Sequence, residues 1–196
     1  MTKVVPIRGR TARTGAPRPD YVQEASIADL FRKYEQELVG TFAEDPLGTR
    51  VWFRDYNFPK LIQLSFRGTK AKASIAINHL SRNGSESDYA FDEYRAKTLF
   101  WIPDVIRNAD SIYVNGHKRI AGDQVYVKRY AKAGATLKVV FTQIDDEMNQ
   151  RIVTTSFQTD DEGLRRFVNS KPMWSAKAEI SSETIVLGIA AAREET

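Results

Sequence analysis

Between residues 124 and 159 hydrophobic and polar positions alternate with a period of two. "QVYVKRY" (124–130), "LKVVFTQI" (137–144) and "RIVTTSFQT" (151–159) each predict a strand. "AKAGAT" (131–136) and "DDEMNQ" (145–150) separate them, and both are polar and turn-sized. Three strands joined this way predict an antiparallel meander. In the first strand the alternation puts Val125 and Val127 on one face and Tyr126, Lys128 and Tyr130 on the other. That second face suits either a solvated sheet surface or a surface that holds a phosphate.

Upstream the period lengthens. Ile27, Leu30, Phe31, Tyr34 and Leu38 recur at helical spacing, and Ser26 followed by Asp29 resembles a capping box. "EDPLGT" (44–49) ends that helix. "RVWFRDYNFPKLIQLSF" (50–66) is rich in aromatic and branched residues and predicts strand pieces interrupted at Pro59. "KASIAINHL" (72–80) predicts a further strand and "SRNGSESD" (81–88) a loop. "FDEYRAKTLFWIPDVIRNADSIYV" (91–114) predicts a helix capped by Asp92, which Pro103 breaks or restarts. Phe100 and Trp101 are adjacent in it, so one helix face cannot bury both. "DEGLRRFVNS" (161–170) and "SETIVLGIAAA" (182–192) close the chain as helical or irregular pieces. Helices come first and an antiparallel sheet follows, which predicts an α+β class with helices on one face of the sheet.

A length of 196 residues fits one domain, expected over 23–192, with residues 1–22 as a basic, disordered tail. The net charge of +4 is concentrated there: Lys3, Arg8, Arg10, Arg13 and Arg18 precede the first acid, Asp20. Setting those five aside leaves 24 of the 29 basic side chains against 25 acids, so the folded part is close to neutral. A specific anion site must therefore be built locally. The chain has no cysteine, which removes disulfides, thiolate metal sites and a cysteine nucleophile. No apolar run reaches the roughly 20 residues needed to span a bilayer, and the start lacks a secretory core. The expectation is a cytoplasmic protein with no membrane partner.

The two histidines, His79 and His117, lack ligand spacing, so no metal is expected. Nucleotide-binding glycine loops and a GxSxG nucleophile elbow are missing. Metal-independent phosphodiester chemistry on RNA asks less of a protein. The ribose 2′-hydroxyl is the nucleophile, and the protein supplies a base, positive groups for the pentacoordinate phosphate and an acid. Tyr126, Lys128 and Tyr130, together with "TTS" (154–156) two strands on, supply groups of that kind.

The order of segments around these residues resembles the barnase–EndoU–colicin–RelE (BECR) nuclease superfamily, and within it the phage-associated branch. The resemblance rests on "IPDVIRNADSIY" (102–113), "YVK" (126–128), the hydrophobic strand 137–144 and "TSF" (155–157), and covers roughly residues 50–160. It implies an α+β fold with N-terminal helices packed on a four-stranded antiparallel sheet. It also implies a metal-independent endoribonuclease, a toxin or phage-linked effector, with no cofactor. Its partners would be RNA such as tRNA, together with a cognate inhibitor or a phage protein. Position by position, Arg95, Lys128, Thr155 and Ser156 match the catalytic positions, and Lys60 in "FPKLI" matches an upstream basic position. By that match Lys128 and Arg95 would stabilise the phosphate, and Thr155 or Ser156 would orient it. Tyr126 or Tyr130 would stack on a base or act as a weak acid. The chain departs from the pattern in having no histidine within the motifs; Asn57 stands where one would suit the chemistry. Glu93 is a candidate base. The alternative is a non-catalytic module of the same superfamily that binds RNA or a phage or virion protein.

Overall fold

The computed structural model describes residues 26–66, 69–70, 89–130, 136–168 and 171–176. The expected tail (1–22), the strand at 72–80, the loop at 81–88 and the segment 182–192 lie outside the described residues.

Helix α1 (Ile27–Glu37) forms as its spacing predicts. Ser26 Oγ accepts from Asp29 N at 3.0 Å, and Ile27, Leu30, Phe31 and Tyr34 form the buried stripe. A hairpin follows, β1 (Phe42–Glu44) and β2 (Arg50–Trp52). After a 3₁₀ turn at Asp55–Asn57 comes the short helix α2 (Phe58–Leu61), with Pro59 in its first turn, where its missing N–H is not needed. Three two-residue strands, β3 (Ser65–Phe66), β4 (Thr69–Lys70) and β5 (Tyr89–Ala90), make a small sheet in the order β4-β3-β5.

The segment 91–114 is not one helix. Asp92 caps α3 (Glu93–Lys97), a 3₁₀ turn spans Leu99–Trp101, and α4 (Ile102–Arg107) restarts at Pro103. "SIYV" becomes β6 (Ser111–Val114) because Asn108 ends α4 and branched residues follow. Of the adjacent rings, Trp101 is buried and Phe100 half-buried. The meander follows: β7 (Gln124–Tyr130), β8 (Thr136–Asp145) and β9 (Gln150–Thr159), antiparallel in sequence order. Helix α5 (Asp161–Arg165) and β10 (Trp174–Ser175) complete the described chain.

The expected four-stranded antiparallel sheet is not what forms. Among the described residues the main sheet has seven strands, in the order β1-β2-β9-β8-β7-β6-β10, and it curls into a half-barrel. It is mixed, because β2 pairs with β9 in parallel at Val51↔Arg151 and Trp52↔Ile152. The helices are few and short, and they alternate with strands rather than preceding them. The reason is that β2 and β10 pair across long sequence separations, which no local period reports.

Both faces of the sheet are covered. On one face Tyr34, Phe53, Phe58, Trp101, Val105 and Ile106 pack on Tyr126, Tyr130, Val140 and Val153. On the other, Val125, Val127, Leu137, Val139 and Phe141 pack with Leu164, joined by Phe157 and Phe167. Among the described residues no helix is long and apolar enough to cross a membrane.

The turn entering β7 depends on Gly122. Its φ is +132°, and a Cβ there would lie 2.8 Å from the Thr142 carbonyl oxygen. Gly122→Ala is expected to lower stability by about 1–3 kcal/mol through combined strain and clash. Urea denaturation with an unchanged m-value checks this, and an unaltered midpoint would refute it.

Candidate functional site

The face holding Tyr126, Lys128 and Tyr130 is interior. β7 lies inside the sheet between β6 and β8, and α4 packs on it. Each polar atom on that face has a partner. Tyr126 donates its hydroxyl to Asp45 Oδ2 at 2.8 Å. Asp45 is itself buried in the β1–β2 turn, where its Oδ1 accepts from Leu47 N and Thr49 N. Tyr130 donates to Asp104 Oδ2 at 2.8 Å and packs against Trp101, with ring centroids 5.1 Å apart. Lys128, 1% exposed, donates to the Asn108 carbonyl at 2.7 Å and lies 3.9 Å from Asp104 Oδ2. Burial, and then the bond to Asp45, push the Tyr126 phenol far above its ordinary pKa. The expectation that these three residues form an open phosphate surface is therefore corrected: they hold α4 and the β1–β2 turn to the sheet. With 0% exposure and its hydroxyl bonded to Asp45, Tyr126 presents neither its ring to a base nor its hydroxyl to a phosphate.

The other expected residues meet elsewhere, at the outer edge of β9. β2 ends at Trp52, so beyond Ile152 β9 has no strand partner on that side among the described residues. α2 and α3 pack on β9 instead. They are tied to each other, since Asp92 N donates to the Ile62 carbonyl at 2.9 Å. Asp92 also caps α3 through Arg95 N (3.0 Å) and lies 3.4 Å from Arg95 Nε. Arg95 reaches over the strand edge, donating Nη1 to Thr155 Oγ1 at 3.3 Å with its guanidinium 5.3 Å from the Phe157 ring centre. Lys60 is exposed on α2. Thr155 follows a β-bulge: Phe141 opposes Thr155 while Thr142 opposes Val153, leaving Thr154 as the extra residue. Bulges re-aim the side chains that follow them. Thr154 is held there by Ala121 O at 2.9 Å and Phe141 O at 3.0 Å.

Sequence reasoning missed Lys138. It lies on β8 directly between Lys128 on β7 and Gln158 on β9. It is 1% exposed, and its Nζ donates to Thr98 Oγ1 at 2.8 Å. Burial, with the neighbouring Arg95 charge adding to it, lowers its pKa to about 7. Arg95 is lowered by burial too, opposed by Asp92. The available signal was a lysine at an inward position of the most apolar strand in the chain.

Five buried side-chain atoms lack a hydrogen-bond partner among the described residues: Asn57 Nδ2, Arg95 Nε, Ser156 Oγ, Gln158 Nε2 and Arg54 Nε. The first four belong to β9 or to segments packed on it. At the edge of β9 stand Arg95, Thr155 and Asn57, with Asp92 beside Arg95 and Lys138 buried one strand inward on β8. The unsatisfied donors and the guanidinium are chemically suited to an anion. His117 packs near Phe167, with centroids 5.5 Å apart, and His79 lies outside the described residues. Glu93 is exposed and pairs with Lys97 at 3.7 Å. No family model matches this chain, and no curated protein or solved structure is significantly similar to it.

Two predictions follow from the burial of the lysines. Lys128→Ala should destabilise the fold by about 2–4 kcal/mol, because it empties a buried site and leaves the Asn108 carbonyl without its donor; a wild-type urea midpoint would return Lys128 to the list of site residues. Lys138 titrates near 7 when folded and at the ordinary lysine value of 10.5 when unfolded. The unfolded chain therefore binds more protons between those values, and stability rises with pH across that window. Below pH 7 the amine is charged in both states and the burial penalty is full. Lys138→Met should be more stabilising at pH 6 than at pH 9, by roughly 2–3 kcal/mol for two pH units. Equal effects at the two pH values would show that Lys138 does not titrate in this window.

Proposed function

We propose that the chain is a metal-independent endoribonuclease that holds an RNA phosphodiester at the outer edge of β9. The observation that carries this reading is the contact of the Arg95 guanidinium with Thr155 at the edge of β9, where Arg95 Nε and Asn57 Nδ2 lack a hydrogen-bond partner among the described residues. A phosphodiester carries one negative charge and accepts several hydrogen bonds, which complements that set.

RNA suits such a site because it brings its own nucleophile. The O2′–P bond forms and the P–O5′ bond breaks. The 2′ proton passes to solvent, and O5′ takes a proton from it. The protein's part is to stabilise the extra charge of the pentacoordinate phosphate. Arg95 bonds to a non-bridging oxygen, Thr155 orients the group, and exposed Lys60 on α2 steers the backbone toward the strand edge. A specific observation favours the second reading, binding without cleavage: His117, the histidine among the described residues, packs on Phe167 rather than at this edge.

Incubation of the full chain with total tRNA in EDTA tests the proposal. Discrete fragments are expected from wild type. Arg95→Ala should slow their formation about 10²–10³-fold, the loss typical of one transition-state donor, at an unchanged melting temperature. Fragments that survive Arg95→Ala would remove the site. RNA binding that weakens steeply with salt but yields no product would establish the binding module instead.

A further inference from the structure

Lys138 is a buried amine whose charged form the fold does little to match. No carboxylate of the described residues lies within 4.0 Å of its Nζ, whereas Lys128, directly across the strand pair, has Asp104 at 3.9 Å. Thr98 directs its own proton to the Tyr94 carbonyl at 2.9 Å, so toward Lys138 its hydroxyl serves as an acceptor. The groups facing Lys138 can be named element by element. α3 presents Arg95 and, behind it, Asp92. β7 presents Lys128, whose charge is shared with Asp104 of α4 and the Asn108 carbonyl, and Tyr130, which is bonded to Asp104. β9 presents the uncharged Gln158, whose Nε2 has no partner among the described residues. A buried amine among cations, with only a distant carboxylate, favours its neutral form, and an anion arriving beside Arg95 reverses that preference.

We propose that Lys138 is a proton-linked positioning residue: a phosphodiester seating beside Arg95 draws one proton onto the Lys138 amine, and the charged amine strengthens the hold on that anion. The proton comes from solvent, and no bond to the ligand forms. This rests on the phosphodiester reading of the β9 edge and adds how the site is regulated. Burial and the Arg95 charge set the amine's transition at about pH 7 in the free protein, so the coupling operates around neutrality. Linkage is reciprocal: by whatever factor the anion favours protonation, protonation favours the anion. Affinity is therefore greatest below pH 7 and falls as pH rises above it.

The test is calorimetry of the full chain with a dinucleoside monophosphate whose 5′ residue is 2′-deoxy. Such a ligand cannot be cleaved by 2′-hydroxyl attack, and its phosphodiester does not titrate near neutrality. Binding is measured from pH 6 to 9 in buffers of differing ionisation enthalpy. Wild type is expected to take up as much as one proton above pH 7, with affinity falling by at most about tenfold per pH unit. Lys138→Met should bind with no pH slope, and Lys138→Arg should keep the low-pH affinity at pH 9. Wild-type binding without proton uptake, or a Lys138→Met variant with the wild-type slope, overturns the proposal. So does failure of wild type to bind at every pH. If neither variant folds, the wild-type proton count decides alone. Arg95-dependent cleavage of tRNA without proton uptake would sink the coupling and leave the phosphodiester site standing.

Discussion

Three polar side chains on β7 point into an interior that is otherwise apolar, and the way they are paired sets much of the surrounding structure. Tyr126, Lys128 and Tyr130 are each almost fully buried. An unpaired hydroxyl or ammonium there would cost several kcal/mol, so each must find a partner. The partners come from separate elements: Asp45 from the β1–β2 turn, Asp104 and the Asn108 carbonyl from α4. One strand thereby fixes the position of a turn some 80 residues upstream and of the helix that roofs the core. Asp104 is the junction, since it also accepts from Asn108 Nδ2 at 2.7 Å and so holds the end of its own helix.

The second determinant is the shortness of β2. A strand of three residues covers only the beginning of a ten-residue neighbour. The rest of β9 is met by α2 and α3, which approach with side chains rather than a hydrogen-bonding backbone. That exchange of a strand for two short helices brings Arg95 to Thr155, and Ser156 Oγ and Gln158 Nε2 have no hydrogen-bond partner among the described residues. The bulge at Thr154 adds to it by shifting register just before the residues concerned.

Lys128 and Lys138 are cross-strand neighbours with the same 1% exposure, and their surroundings separate them. Lys128 faces the end of α4, where carbonyl oxygens and Asp104 meet its charge. Lys138 faces α3, where Arg95 already engages the carboxylate of Asp92 and a threonine hydroxyl is what remains. One lysine is a fastening of the fold, and the other is a group poised to change its charge.

Local periodicity in the sequence determined the strands of the meander, the capped helix at Ile27–Glu37, the interruption at Pro103 and the sharing of one face by Tyr126, Lys128 and Tyr130. These depend on residues within a few positions of one another, and the side-chain period of a strand or helix carries them. Sequence motifs also pointed to Arg95 and Thr155, which the fold brings within hydrogen-bonding distance. What covers each face was decided elsewhere. An alternating strand with one polar face reads as half-solvated, yet α4 roofs that face because Asp104 and Asn108 supply its partners from another part of the chain. The parallel β2–β9 pairing, the seven-stranded order and the role of Lys138 likewise depend on contacts between distant segments. A strand's period states which residues share a side; only the packed chain decides whether that side meets water, a helix or a neighbouring charge.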